Sequence, residues 1–227
     1  MTLPDLALQI IYGRLAWAGV LAALLVSLLP LSLQRSRRLV WGLLAAMCVL
    51  TLLPGTMSPA YWLALAFHWP SGLLLACCLL RLAQAGQPLK VMQPRFAAVV
   101  AAAGLLLYVD TMGLTSLGLY YVGFGPLGAP LAALIVAALC VLAIVRGESR
   151  AQAGAMLAAV VLFSALRLPS GNLWDALLDP LLWGWAVVSL GALAWRRSRR
   201  IVEAEPAVAA PQGAVAANII NKGAGQW

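Results

Sequence analysis

Charge is scarce in this sequence, and acid is scarcest. Seven Asp and Glu stand against fifteen Lys and Arg, with a single histidine, in 227 residues. Only 10% of the chain is charged and 63% is hydrophobic, with a mean hydropathy of +0.94. A soluble domain carries about 25% charge and an apolar share near half, so that class is excluded. One histidine, with no carboxylate at helical spacing, does not make up a metal ligand set. The four cysteines, Cys48, Cys77, Cys78 and Cys140, show neither CxxC nor CxxH spacing; no zinc site or redox pair is indicated, and they read as small buried hydrophobes. Also missing are GxxxxGK[ST], GxSxG, HExxH and repeated DxD or DDxxD clusters. No internal repeat with matching interrupted helices is present, the pattern of many transporters. No cofactor and no metal are expected.

The basic residues are placed with regularity. Twelve of the fifteen fall into four clusters: Arg35/Arg37/Arg38, Arg81/Lys90/Arg95, Arg146/Arg150 and Arg196/Arg197/Arg199/Arg200. Each cluster follows an odd-numbered apolar stretch, and basic residues stay on the cytoplasmic side of inner-membrane proteins. The alternation predicts an all-α polytopic membrane protein of a bacterial-type cytoplasmic membrane. It has seven transmembrane helices, N-terminus outside and C-terminus cytoplasmic. A spanning helix needs about 20 residues, so the spans fill a single membrane domain over 1–200 and leave 201–227 as a cytoplasmic tail. That tail is rich in Ala, Glu, Pro and Gly without periodicity, and is expected to be disordered. The net charge of +8 then marks topology and contact with anionic lipid, not nucleic acid. No basic region precedes the first apolar run, which is also too long for a cleavable signal, so it is read as a retained span.

Punctuation sets the spans at 15–33, 39–53, 59–80, 96–112, 126–145, 151–168 and 180–195. Residues 1–13 lie in the outer interface or extend the first span. Pro54-Gly55 stops the second; Ser58-Pro59 starts the third with a cap and a proline at the first helical position. Pro70 interrupts that third span. Small-xxx-small spacings at Ala97/Ala101, Ala98/Ala102, Gly154/Ala158 and Ala155/Ala159 offer faces for close helix approach. Asn172 followed by Asp175 resembles a capping box, predicting a short surface helix over 173–178. Asp179-Pro180 caps the last span.

On this topology Asp5, Asp110, Asp175 and Asp179 all face outward, with only Arg14 and Arg167 as outer cations. Asp110 lies fourteen residues beyond Phe96, about 21 Å along a helix, and Arg167 sixteen beyond Ala151, about 24 Å. Two opposite charges at matching depth predict an Asp110–Arg167 pair, since an unpaired charge there costs at least about 2 kcal/mol; the alternative is that each snorkels to the interface. His68 is expected near midplane, its imidazole bonded to a carbonyl freed by Pro70, with proton handling as the functional alternative. Trp17, Trp62, Trp174, Trp183 and Trp185, with Tyr12, Tyr61, Tyr120 and Tyr121, cluster outward. Anchoring accounts for a belt; aromatic faces beside carboxylates also suit sugars or lipid headgroups. The candidate ligand-binding residues are Asp110, Arg167, His68, Asp175, Trp174 and Tyr121.

Lacking any catalytic signature, the sequence points to an accessory subunit of envelope biogenesis. Such a subunit holds a partner membrane protein or a lipid- or glycan-linked intermediate at the outer leaflet. The alternatives are a membrane enzyme acting on a lipid-linked envelope substrate, with Asp110 as base and Arg167 on a phosphate, and a small proton-coupled carrier or channel using His68 and Asp110.

Overall fold

The computed structural model describes residues 4–87 and 92–208, with side chains described as far as Arg199. Among these residues every regular element is helical. The chain divides into two compact units, Met1–Ser189 and Leu190–Trp227.

Helix α1 (Leu6–Leu28) starts where the Asp5 carboxylate accepts from the amides of Ala7 (2.8 Å) and Leu8 (3.2 Å). Two otherwise orphaned N–H groups are satisfied in this way, so residues 6–13 extend the first apolar run and do not form a separate segment. It stops at Leu28, short of 33, because Pro30 cannot continue it; a single turn, α2 (Leu31–Gln34), follows. Ser36 caps α3 (Arg37–Leu52), and a 3-10 turn at Gly55–Met57 leads to α4 (Pro59–Phe67). Then come α5 (Gly72–Ala83), α6 (Pro94–Thr111), α7 (Leu119–Val122), α8 (Gly128–Val145), α9 (Arg150–Leu166), α10 (Leu173–Leu177) and α11 (Pro180–Val208). Proline occupies the first helical position of α4 as expected; α6 begins at Pro94, two residues ahead of the expected span, and Pro126 lies two residues before α8.

Among the described residues three helices, α1, α6 and α8, are long and apolar enough to cross a membrane. Helix α8 buries only Ala129, Ala133 and Cys140, while Leu131, Leu134 and Leu139 are each more than 60% exposed. A helix apolar on every side has no water-facing surface, which is the pattern of a membrane span. Helix α11 runs 29 residues, through the basic cluster and past Trp195, so 201–208 continue a helix where a tail was expected. The remainder of that tail, 209–227, lies outside the described residues, as does Lys90.

Within the first unit, α3 and α5 both pack on α1, α9 packs on α5, and α8 on α9. Small residues make the approaches close. The Trp69 ring lies directly on Gly13, where a Cβ would sit 2.0 Å from it, and Leu75 does the same at Gly19 (2.7 Å). Ala155 and Ala159 are both buried on α9, Ala159 directly beneath Gly72, whereas nothing lies within 4 Å of a Cβ placed on Gly154. Likewise Ala97 is buried and Ala98 and Ala102 are exposed.

The expected third span is not one helix. It ends at Phe67, breaks through 68–71, and resumes at Gly72. His68 takes φ 63 and ψ −149, a conformation side chains rarely adopt. The break is satisfied from outside: the Trp17 indole N–H donates to the His68 carbonyl (3.1 Å) and the Tyr12 hydroxyl to the Pro70 carbonyl (2.8 Å). At its far end, Ser58 Oγ at the start of α4 donates to the Thr51 carbonyl (2.7 Å), and Arg14 Nη1 donates to Leu52 (3.1 Å) and Leu53 (3.2 Å). The break is thus tied to α1 and the start of α4 to the end of α3, while both α4 and α5 pack on α1.

Candidate functional site

Two loops at the acidic end of the helices interlock. In the first, Asp110 at the end of α6 folds residues 115–120 around its carboxylate. Oδ1 accepts from Thr115 Oγ1 (3.1 Å) and the amides of Leu117 (3.0 Å) and Gly118 (3.2 Å), while Oδ2 accepts from the Tyr120 amide (3.4 Å). Gly118 takes φ 63 and opens α7, the left-handed conformation glycine adopts without strain. In the second, Asn172 accepts from the Trp174 amide (3.0 Å) and caps α10.

The loops join at several points. Asn172 Nδ2 donates to the Tyr120 carbonyl (3.3 Å), the Leu173 amide to the Gly123 carbonyl (3.2 Å), and the Trp174 indole to the Leu119 carbonyl (2.9 Å). Gly123 is required for that closure, since a Cβ there would meet Asn172 Oδ1 at 1.8 Å. The Tyr120 hydroxyl donates to both oxygens of Asp175 (3.1 and 3.2 Å), and Ser170 Oγ donates to the same carboxylate. Burial, with the Asp175 charge beside it, pushes the Tyr120 phenol above its ordinary range, which keeps the donor protonated.

Between α6, α7 and α10 these side chains enclose a cavity of about 250 Å³. Gly104, Leu107 and Leu178 supply apolar surface, and Tyr108, Tyr120, Trp174 and Asp175 supply aromatic faces and one carboxylate. The Tyr108 ring is held edge-on to Trp183 (5.5 Å between centroids), whose indole lies over Gly104 and donates to the Ala101 carbonyl (3.0 Å). Such a cavity offers flat apolar faces and an acceptor for hydroxyl or amine donors.

The six residues singled out from sequence separate. Trp174 and Asp175 line the cavity, and Asp110 builds the loop beside it without entering the lining. Tyr121 is 76% exposed and is not part of the lining. Arg167 terminates α9 with φ 56, and its guanidinium lies over the Phe163 ring at 5.1 Å. The expected Asp110–Arg167 pair is not formed: Arg95–Glu148 (3.2 Å) is the one salt bridge among the described residues. Loop amides offered Asp110 satisfaction within ten residues of chain, and an aromatic face took the arginine. His68 is exposed at the end of α4; its carbonyl, which accepts from the Trp17 indole, and not its imidazole, is what the fold uses.

The capping-box reading holds in part. Asn172 caps, but Asp175 turns to Tyr120 and Ser170 instead of reaching back to Asn172. Asp179 does not share a helix with Asp175, because α10 ends at Leu177. Its Oδ2 accepts from the Ser71 amide (2.8 Å) and its Oδ1 from the Leu182 amide (2.7 Å), so one carboxylate starts both α5 and α11. The sequence reading missed Tyr108 and Ser170; the first was hidden because its partner surface, α7 and α10, is separated from it by loops of unreadable path. Among the described residues no three His, Cys, Asp or Glu are grouped to hold a metal ion. Compared with family models, curated proteins and solved structures, the chain matches none.

Proposed function

We propose that this is a multi-pass protein of a bacterial-type cytoplasmic membrane, with seven spans, the N-terminus outside and the C-terminus in the cytosol. In this reading it is an accessory subunit of envelope biogenesis that holds a lipid- or glycan-linked intermediate at the outer leaflet, alongside a partner membrane protein. The observation that carries the site is the cavity in which Tyr108, Tyr120 and Trp174 surround the Asp175 carboxylate. Aromatic faces pack on the apolar faces of sugar rings, and a carboxylate accepts from their hydroxyls. The span count draws on the basic clusters and on seven helices of twelve residues or more, α1, α3, α5, α6, α8, α9 and α11. The shortest, α5, has 12 residues, about 18 Å; the break at 68–71 and the turn at 84–87 complete its crossing, with local thinning of the bilayer.

The enzyme and carrier readings draw less support. Asp110 is engaged by four donors of its own loop, and His68 and Asp110 are not brought together. Two measurements test the proposal. Reporter fusions after residues 87, 125, 148 and 171 should report cytosol, outside, cytosol and outside in turn; any reversal refutes the topology. Binding of a fluorescent lipid-linked saccharide to the detergent-purified protein should weaken at least tenfold in Trp174→Ala and Asp175→Asn and stay within twofold in Tyr121→Ala. Equal binding in all three variants and the parent removes the site.

A further inference from the structure

The opposite, basic end of the helices carries a second cavity that the outer site does not use. It measures about 360 Å³, and its lining includes Arg81, Gln84, Met92, Arg150, Gln152 and Trp185, with no acidic residue. Beside it an apolar groove of about 460 Å³ runs along α1, walled by Val20, Leu24, Leu63, Phe67 and Leu74. Arg81 and Trp185 belong to both, so the polar cavity and the apolar groove share a wall.

Two polar atoms in the cavity lining are buried without a hydrogen-bond partner: Arg81 Nε and Gln152 Oε1. The arginine is not simply loose. Its Nη2 donates to Gln34 Oε1 (2.7 Å), and Gln34, 3% exposed, is itself fixed by donating to the Leu29 carbonyl (2.7 Å). One edge of the guanidinium is thus held and the Nε edge is left for something else. Buried donors and acceptors are paired in nearly all folded proteins, so the pair of orphans defines a missing group: an anionic acceptor for Arg81 and a hydroxyl donor for Gln152.

We infer that this compound site binds an anionic phospholipid with a hydroxylated headgroup. Its phosphate sits against Arg81, its headgroup hydroxyl donates to Gln152, and one acyl chain lies in the groove along α1. A guanidinium fits phosphate oxygens better than any other side chain, and an acyl chain accounts for a groove with almost no polar surface. A free phosphate shares the headgroup chemistry but leaves the groove without an occupant.

Native mass spectrometry of the full chain in a non-ionic detergent tests this, with phosphatidylglycerol, phosphatidylcholine and inorganic phosphate as probes. Phosphatidylglycerol should be retained as a single adduct at least tenfold more tightly than phosphatidylcholine. Arg81→Gln should weaken it tenfold or more, Gln152→Leu threefold or more, and Arg38→Gln, an exposed cation outside the cavity, less than twofold. Leu24→Trp, which fills the groove and leaves Arg81 in place, should also weaken it tenfold; this variant decides the matter should Arg81→Gln fail to elute as a folded monodisperse species. Equal retention of the two lipids, unchanged affinity in Arg81→Gln or Leu24→Trp, or displacement of the lipid by millimolar phosphate each overturn the assignment.

Discussion

Asp179 offers the sharpest test of how this fold is held. Its carboxylate is 8% exposed and accepts the Ser71 amide at 2.8 Å and the Leu182 amide at 2.7 Å, so it starts α5 and α11 together. A hydrogen bond to a charged group contributes about 1.5–3 kcal/mol, and both amides sit at the positive pole of a helix. Asp179→Ala removes both bonds and leaves two buried donors unpaired, a cost of about 4 kcal/mol. Asp179→Asn keeps one acceptor oxygen but turns an amide toward the second donor, costing about 2 kcal/mol. At about 2–4 °C per kcal/mol for a chain of this size, alanine should lower the melting midpoint by about 10 °C and asparagine by about half of that. The assay is a thermal scan in detergent at one fixed rate, read by tryptophan fluorescence, to which Trp69 beside the break contributes. A midpoint for Asp179→Ala within 2 °C of the parent would refute the argument that one carboxylate starts both helices.

Four further outcomes are expected. Gly13→Ala places a Cβ 2.0 Å from the Trp69 ring and should cost about 1–3 kcal/mol, whereas Gly154→Ala, with open space around it, should be neutral or stabilising by under about 1 kcal/mol; paired melting scans decide. Asp110→Asn should destabilise while Arg167→Gln should not, and the double variant should be additive within about 0.5 kcal/mol; a larger coupling would restore the ion pair. Gly123→Ala should open the interlocked loops, read as faster protease cleavage within 115–126 and 169–179. Because the Tyr120 phenol is raised in the folded chain, its contribution is complete below about pH 10 and is lost as pH climbs through the folded value. The stability advantage of the parent over Tyr120→Phe should therefore be constant from pH 7 to 9 and shrink above 10.

Helix existence was legible because proline, glycine and serine punctuate an apolar chain that has few other signals. Ser58-Pro59 and Asp179-Pro180 both start helices where they were expected to, although the Ser58 hydroxyl bonds the Thr51 carbonyl instead of capping α4. What failed was continuity. Counting 1.5 Å per residue assumes an unbroken helix, and the expected third span breaks at 68–71, between α4 and α5. The Asp110–Arg167 pair failed for a related reason: sequence shows charges but not the backbone amides that a loop will offer them, and residues 115–120 satisfy Asp110 locally. Aromatic residues sorted into two kinds that composition does not separate. Trp62, Tyr61 and Tyr121 are exposed, as anchors should be, whereas Trp17 and Tyr12 are buried and serve the break. That Trp174 and Asp175 come together was legible because they share one short capped helix; Tyr108 and Tyr120 join them in the cavity lining only through the folding of loops.

Arg14 stands apart from the four basic clusters, and the fold gives it a place of its own. Its guanidinium donates to the Leu52 and Leu53 carbonyls at the negative pole of α3. A cation fixed there joins the last turn of α3 to the flank of α1, a directional link that apolar packing between the same helices does not supply.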